Sequence, residues 1–106
     1  MIKFAKDNLK IQIETESVGD GVRFYITIPS TAHEDVTEAF RSAGFKIDNY
    51  DTYRKDIRFT CTPIDSYEEA ENTYSAFIDS LGKSGFKVVK QKNERYTKDE
   101  ILKMFA

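Results

Sequence analysis

The sequence predicts an α+β fold, a two-layer sandwich in which a β-sheet carries its helices on one face. Five β-rich stretches are interrupted by two segments that combine a helix-capping pattern with a single apolar stripe. The strand, helix, strand order also occurs twice, with the same side chain types at matching places.

The first predicted strand is Leu9–Glu14, where apolar and polar residues alternate and Leu9, Ile11 and Ile13 share one half-buried face. Val18-Gly19-Asp20-Gly21 follows, rich in residues that tolerate positive φ, so a hairpin or loose turn leads into a strand over Val22–Ile28. Its even positions, Val22, Phe24, Ile26 and Ile28, belong to the core, and Arg23, Tyr25 and Thr27 to the opposite face. Pro29 closes it.

Thr31 and Glu34 have the spacing of a capping box, in which hydroxyl and carboxylate satisfy backbone donors at a helix start. Val36, Ala39, Phe40 and Ala43 then form one apolar stripe, and Gly44 supplies the left-handed stop. Phe45–Thr52 and Ile57–Thr62 read as strands joined by a turn around Arg54-Lys55-Asp56. A second capping box, Ser66 and Glu69, opens a helix carrying Tyr67, Ala70, Tyr74, Phe77, Ile78 and Leu81 on one stripe. Gly82 and Gly85 end it, Phe86–Gln91 gives another strand, and Tyr96, Thr97, Glu100 and Ile101 mark the start of a short C-terminal helix.

Val22-Arg23-Phe24 recurs as Ile57-Arg58-Phe59 at an offset of 35 residues, which also carries Thr27 onto Thr62, Thr31 onto Ser66 and Glu34 onto Glu69. After the helix the match resumes at an offset of 41, with Gly44-Phe45-Lys46-Ile47 answering Gly85-Phe86-Lys87-Val88, so the second helix should be six residues longer. The repeats span about 22–52 and 57–92 of a single domain over 1–106. Two strand-helix-strand units can interleave into one antiparallel sheet, because each crossover leaves room between its strands for another.

That order of elements resembles the ferredoxin-like βαββαβ plan, here with an extra N-terminal strand and a short C-terminal helix. From Val22 to Val89 the rhythm is similar to that of ACT-type regulatory domains. Where that family carries an Asp-x-Pro-Gly turn for an amino acid, this chain has Pro29-Ser30-Thr31-Ala32, so the resemblance implies a fold and no effector site. The extra strand has two places open to it, along an edge of the sheet or in the place of the last strand.

An apolar fraction of 40% with 32% charged residues is that of a folded globular domain, and 106 residues suffice for one core. No apolar run approaches the roughly 20 residues of a membrane helix, and the opening residues lack a signal peptide's apolar stretch, so a cytoplasmic protein without membrane contact is expected. Cys61, the single cysteine, can form neither an internal disulfide nor a thiolate cage, and its parity on the Ile57–Thr62 strand puts it in the core. Sixteen basic against 18 acidic side chains leave no strong excess of either sign.

No reaction, cofactor or metal is legible. His33 stands beside Glu34 and Asp35 without a nucleophile that the sequence can place near it, and acids there answer the helix dipole. Neither Gly19-Asp20-Gly21 nor Gly82-Lys83-Ser84-Gly85 joins a strand to a helix start, as a phosphate loop must. The candidate site is the outer face of the sheet, with Arg23, Tyr25 and Arg58 on central strands and Lys46 and Lys87 on outer ones. Symmetric pairing of the two repeats puts Tyr25 opposite Thr60, with the arginines four residues apart, about 13 Å along the sheet.

Such a face suits a protein partner, since tyrosine and arginine concentrate binding energy and an uncovered edge strand accepts another chain, a second copy included. Ile101, Leu102 and Phe105 form a secondary patch. The leading expectation is a non-catalytic binding protein: a small inhibitor, adaptor or regulatory subunit, such as a phage or mobile-element anti-defence protein. The alternatives are a nucleic-acid-binding module using the same face and a small-molecule-sensing regulatory domain. Asp48 and Glu14 are placed to neutralise part of the cationic charge.

Overall fold

The computed structural model describes residues 2–89. Ile2–Lys6 (β1) and Leu9–Val18 (β2) form a hairpin across Asp7-Asn8, with Asp7 at φ 54. Aspartate occupies that left-handed region more easily than most residues because its short carboxylate can bond nearby backbone. β1 is an addition to the expected elements: Ile2 and Phe4 face the core, while Lys3 alternates outward. β2 turns through Gly19-Asp20 into Gly21–Pro29 (β3), so the Gly19 region is a tight hairpin rather than a loose loop. The core parity of β3 is as expected, with Val22, Phe24, Ile26 and Ile28 all buried.

A single 3-10 turn over Ser30–Ala32 leads into His33–Ala43 (α1). The expected Thr31–Glu34 capping box does not form: Ala32 occupies the cap position and makes no side-chain hydrogen bond. The 3-10 turn carries Thr31 past too early, leaving a residue without a side-chain oxygen where the cap is needed. Gly44 ends α1 at φ 106, as its position predicted.

Ile47–Tyr53 (β4) and Asp56–Cys61 (β5) pair across Arg54-Lys55. Tyr67–Lys83 (α2) follows, and here the predicted cap exists, since Glu69 N–H donates to Ser66 Oγ at 3.2 Å. α1 has 11 residues and α2 has 17, the six-residue difference that the repeat offset requires. Lys87–Val88 (β6) is the described part of the last expected strand. The expected C-terminal helix, with Ile101, Leu102 and Phe105, lies outside the described residues.

These elements make an α+β domain with one six-stranded sheet in the order β4-β5-β3-β2-β1-β6, every neighbouring pair antiparallel. The extra N-terminal strand is therefore half of a hairpin, which takes the place beside β3 that the expected plan gives to the last strand. The two-residue turn at Gly19-Asp20 forces β2 to pair with β3, and Ile11 and Ile13 extend the buried face there. β6 pairs instead with β1, through Phe4–Val88 and Ala5–Lys87.

Both helices cover the same face. Phe24, Phe40, Phe45, Phe59, Tyr74 and Phe77 interlock beneath them, with ring centroids 4.9 Å apart for Phe24–Phe45 and 5.2 Å for Phe40–Phe59. The link between β5 and α2 is tied back to β3 by reciprocal bonds, Val22 N–H to Ile64 O at 2.9 Å and Ile64 N–H to Val22 O at 2.8 Å.

Candidate functional site

Period-two alternation sends Arg23, Tyr25 and Thr27 of β3 to the face that the helices leave uncovered. Glu16, Glu14 and Gln12 of β2 stand opposite them on one side; on the other, Thr60 and Arg58 of β5 face Tyr25 and Thr27. The Tyr25–Thr60 register is the one that the repeat predicted, and it brings Arg58 within reach of Tyr25.

Arg58 Cζ lies 4.5 Å from the Tyr25 ring centroid, while its Nη2 is 3.5 Å from Glu14 Oε2. Tyr25 Oη donates to Glu16 Oε1 at 3.2 Å. The guanidinium is thus held between an aromatic face and a carboxylate. Arg23 points the other way, its Nη2 4.0 Å from Asp48 Oδ2, and its Nε is covered without an acceptor among the described residues. Asp48 occupies a β-bulge, where β4 fits one extra residue between Ile47–Cys61 and Asn49–Thr60. A bulge re-aims a side chain, and Asp48 here accepts from Thr62 Oγ1 at 2.6 Å.

Lys46 and Lys87 do not join this cluster. Lys46 is exposed and lines an open crevice of about 490 Å³ with Thr62, Asp65, Glu69 and Asn72. Lys87 pairs with Ala5 at the far side of the sheet, four strand spacings or roughly 19 Å from Arg58. Glu16 and Asp51, the residue opposite Arg58 on β4, are contributors that the sequence reading passed over. Strand parity alone could have found Glu16, since it alternates with Ile11 and Ile13.

Arg23 and Arg58 are therefore each met by acids, on a surface that mixes both signs. Such exposed pairs contribute at most about 1 kcal/mol to stability. Their value lies in fixing side-chain positions on rigid strands. Among the described residues no three His, Cys, Asp or Glu side chains are grouped to hold a metal ion, and no helix is long and apolar enough to cross a membrane.

Cys61 is fully buried behind this face, and burial, assisted by Asp48, pushes its thiol up from 9.0 to about 12. Burial also raises Tyr74 from 10.0. A raised folded-state value means that the unfolded chain gives up its proton first. The thiol's contribution to stability is present below pH 9 and should be lost above it, with a slope approaching about 1.4 kcal/mol per pH unit, until the folded thiol itself ionises. Urea unfolding of wild type and Cys61→Ala from pH 8 to 11 checks this, the variant showing a flatter decline below pH 10. Parallel declines there would remove Cys61 as the cause.

Compared with known protein families, curated proteins and solved structures, the chain shows no significant match in any of the three.

Proposed function

We propose that this chain is a non-catalytic binding protein that acts through protein–protein contacts, as a small inhibitor, adaptor or regulatory subunit. An anti-defence protein of a phage or mobile element is the setting that suits such a domain. The supporting observation is the Arg58–Tyr25 stack with its acids Glu14 and Glu16. A nucleic acid presents a uniformly anionic backbone, which would have to displace Glu14 and Asp48 and approach Glu16 and Asp51. A protein surface presents both signs together with apolar groups, and so complements this face without expelling its carboxylates. Tyrosine and arginine are also the residues most enriched where interfaces concentrate their energy.

For the scaffold we propose a ferredoxin-like βαββαβ core, β3-α1-β4-β5-α2-β6, opened by insertion of the β1–β2 hairpin between β3 and β6. Its support is that β3 and β4 run parallel with β5 between them, as do β5 and β6 with β3, β2 and β1 between.

Affinity capture from the native host, using wild type and a Tyr25→Ala/Arg58→Ala double variant, tests the functional reading. The expected result is a protein recovered by wild type and at least about tenfold less by the variant, a loss of about 1.4 kcal/mol or more. Circular dichroism of the variant should be unchanged. Equal recovery by both would end the role of this face. Fluorescence anisotropy with single-stranded RNA and DNA at low salt runs alongside. Salt-sensitive binding lost in Arg23→Ala and Arg58→Ala would assign the face to nucleic acid instead.

A further inference from the structure

The two edges of the sheet differ sharply. Among the described residues β6 is a two-residue strand, whereas β4 runs for seven residues, and every one from Asp48 to Tyr53 is exposed. Tyr50 and Tyr53, the most exposed of the large apolar or aromatic side chains among the described residues, both lie on β4, at 62% and 69%. Edge strands are commonly blunted by shortness, by proline, by lysine or by a bulge. β4 has a bulge only at its start, at Asp48, and from Asn49 to Tyr53 it pairs regularly with β5.

The turn fixes which backbone groups are free. Tyr53 and Asp56 flank the two-residue loop Arg54-Lys55 and form the closing pair of the hairpin, so Tyr53 directs its N–H and C=O toward β5. Alternation turns Asp51 and Asn49 inward as well, and leaves the N–H and C=O of Thr52 and the C=O of Tyr50 pointing off the edge, where the Tyr50 N–H already donates to Asn49 Oδ1 at 2.8 Å. We propose that β4 pairs antiparallel with β4 of a second copy of this chain, about a two-fold axis at Thr52.

Only a register centred on a residue with outward backbone groups can form. Centring on Asp51 would use groups already committed to β5 and would oppose two carboxylates. Centring on Tyr50 would run Thr52 against the bulge at Asp48. Centring on Thr52 sets Thr52 against its own copy and Asp51 against Tyr53 on the outer face, the latter twice by symmetry, and brings Tyr50 to the Arg54-Lys55 turn of the second copy. The outer pair joins a carboxylate to a phenol. Arg54 already lies 5.4 Å from the Tyr53 ring of its own chain. No like charges are placed directly opposite, and the two sheets become continuous.

This assembly leaves Tyr25 and Arg58 uncovered, and of the acids beside them only Asp51 enters its seam. Light scattering after size exclusion should give about twice 12.2 kDa for wild type at roughly 100 μM protein. Thr52→Pro removes an outward donor without touching the β4–β5 ladder, and should give the single-chain mass with unchanged far-UV circular dichroism. Thr52→Cys should cross-link to itself on mild oxidation, because hydrogen-bonded antiparallel partners have Cα atoms about 5.5 Å apart, within disulfide reach. Tyr53→Cys, displaced by two residues from its own copy, should not, and the buried Cys61 gives no background. Wild type remaining at the single-chain mass up to about 1 mM, or a dimer that survives Thr52→Pro while Thr52→Cys stays uncross-linked, overturns the proposal. Either result leaves the capture experiment on the sheet face unaffected.

Discussion

Replacing Phe77 by alanine is expected to cost about 3–5 kcal/mol of unfolding free energy, as fully buried aromatic truncations do. Phe77 has no solvent exposure, and its ring meets Phe45 at 5.6 Å and Phe40 at 6.3 Å, both nearly edge-on. It is therefore the point where α2 touches both α1 and the segment that leads into β4. Alanine removes the transfer energy of the ring and leaves a cavity walled by two other rings and the sheet, which cannot collapse without separating the helices. Domains of this size are stable by only about 5–15 kcal/mol, so the variant should melt at least 12 °C lower at about 4 °C per kcal/mol. Phe77→Leu keeps most of the volume and should lose less than half as much. Thermal unfolding by circular dichroism measures both, and a cost below about 1 kcal/mol for the alanine variant would mean that the aromatic interlock is not what holds the layers together.

Gly21→Ala should come next in size, although it adds only one methyl group. A Cβ built at Gly21 falls on the carbonyl oxygen of Ile64, a backbone atom that accepts the Val22 N–H and cannot swing aside like a side chain. Accommodating it means breaking the Val22–Ile64 bridge or moving the start of β3 away from the link into α2. Overpacking of this kind costs about 1–3 kcal/mol and sometimes more, and two backbone bonds are at stake here. Gly82→Ala is the natural control. Its Cβ would meet nothing, and within α2 alanine should stabilise by about 0.5–1 kcal/mol. Opposite signs for the two substitutions are expected in urea denaturation; equal small effects would show that the Gly21 contact relaxes freely.

The strands with strict alternation were legible because one face had to be buried: Ile11 and Ile13 of β2 and the even positions of β3 are where parity placed them. Internal repetition went further, since it predicted both the Tyr25–Thr60 register and the extra six residues of α2. β1 was missed even though Ile2, Lys3 and Phe4 alternate and Asp7-Asn8 supplies a turn. A five-residue strand offers few periods to recognise. The consequence reached the site. Without β1, nothing indicated that β6 would be held away from β3, or that Lys87 would lie far from the arginines. Thr31 shows a different limit, since cap spacing cannot reveal a 3-10 turn that shifts the helix start. The compensation of Arg58 by Glu14 and of Arg23 by Asp48 was readable from parity, but the tight stacking of Arg58 on Tyr25 depends on rotamers that only the packed sheet selects.

The pairing of Phe4 with Val88 also sets an order in time. The β1–β2, β2–β3 and β4–β5 hairpins close over two-residue turns, each an event of about 1–10 μs. β6 has no local partner and must wait until α2 has carried the chain past β3, β2 and β1, a closure across nearly the whole described length, which makes it the slowest contact of the sheet to gain. Among the described residues the same pair is flanked by few others, so amide exchange should reach β6 and the outer side of β1 through a local opening, long before it reaches β3.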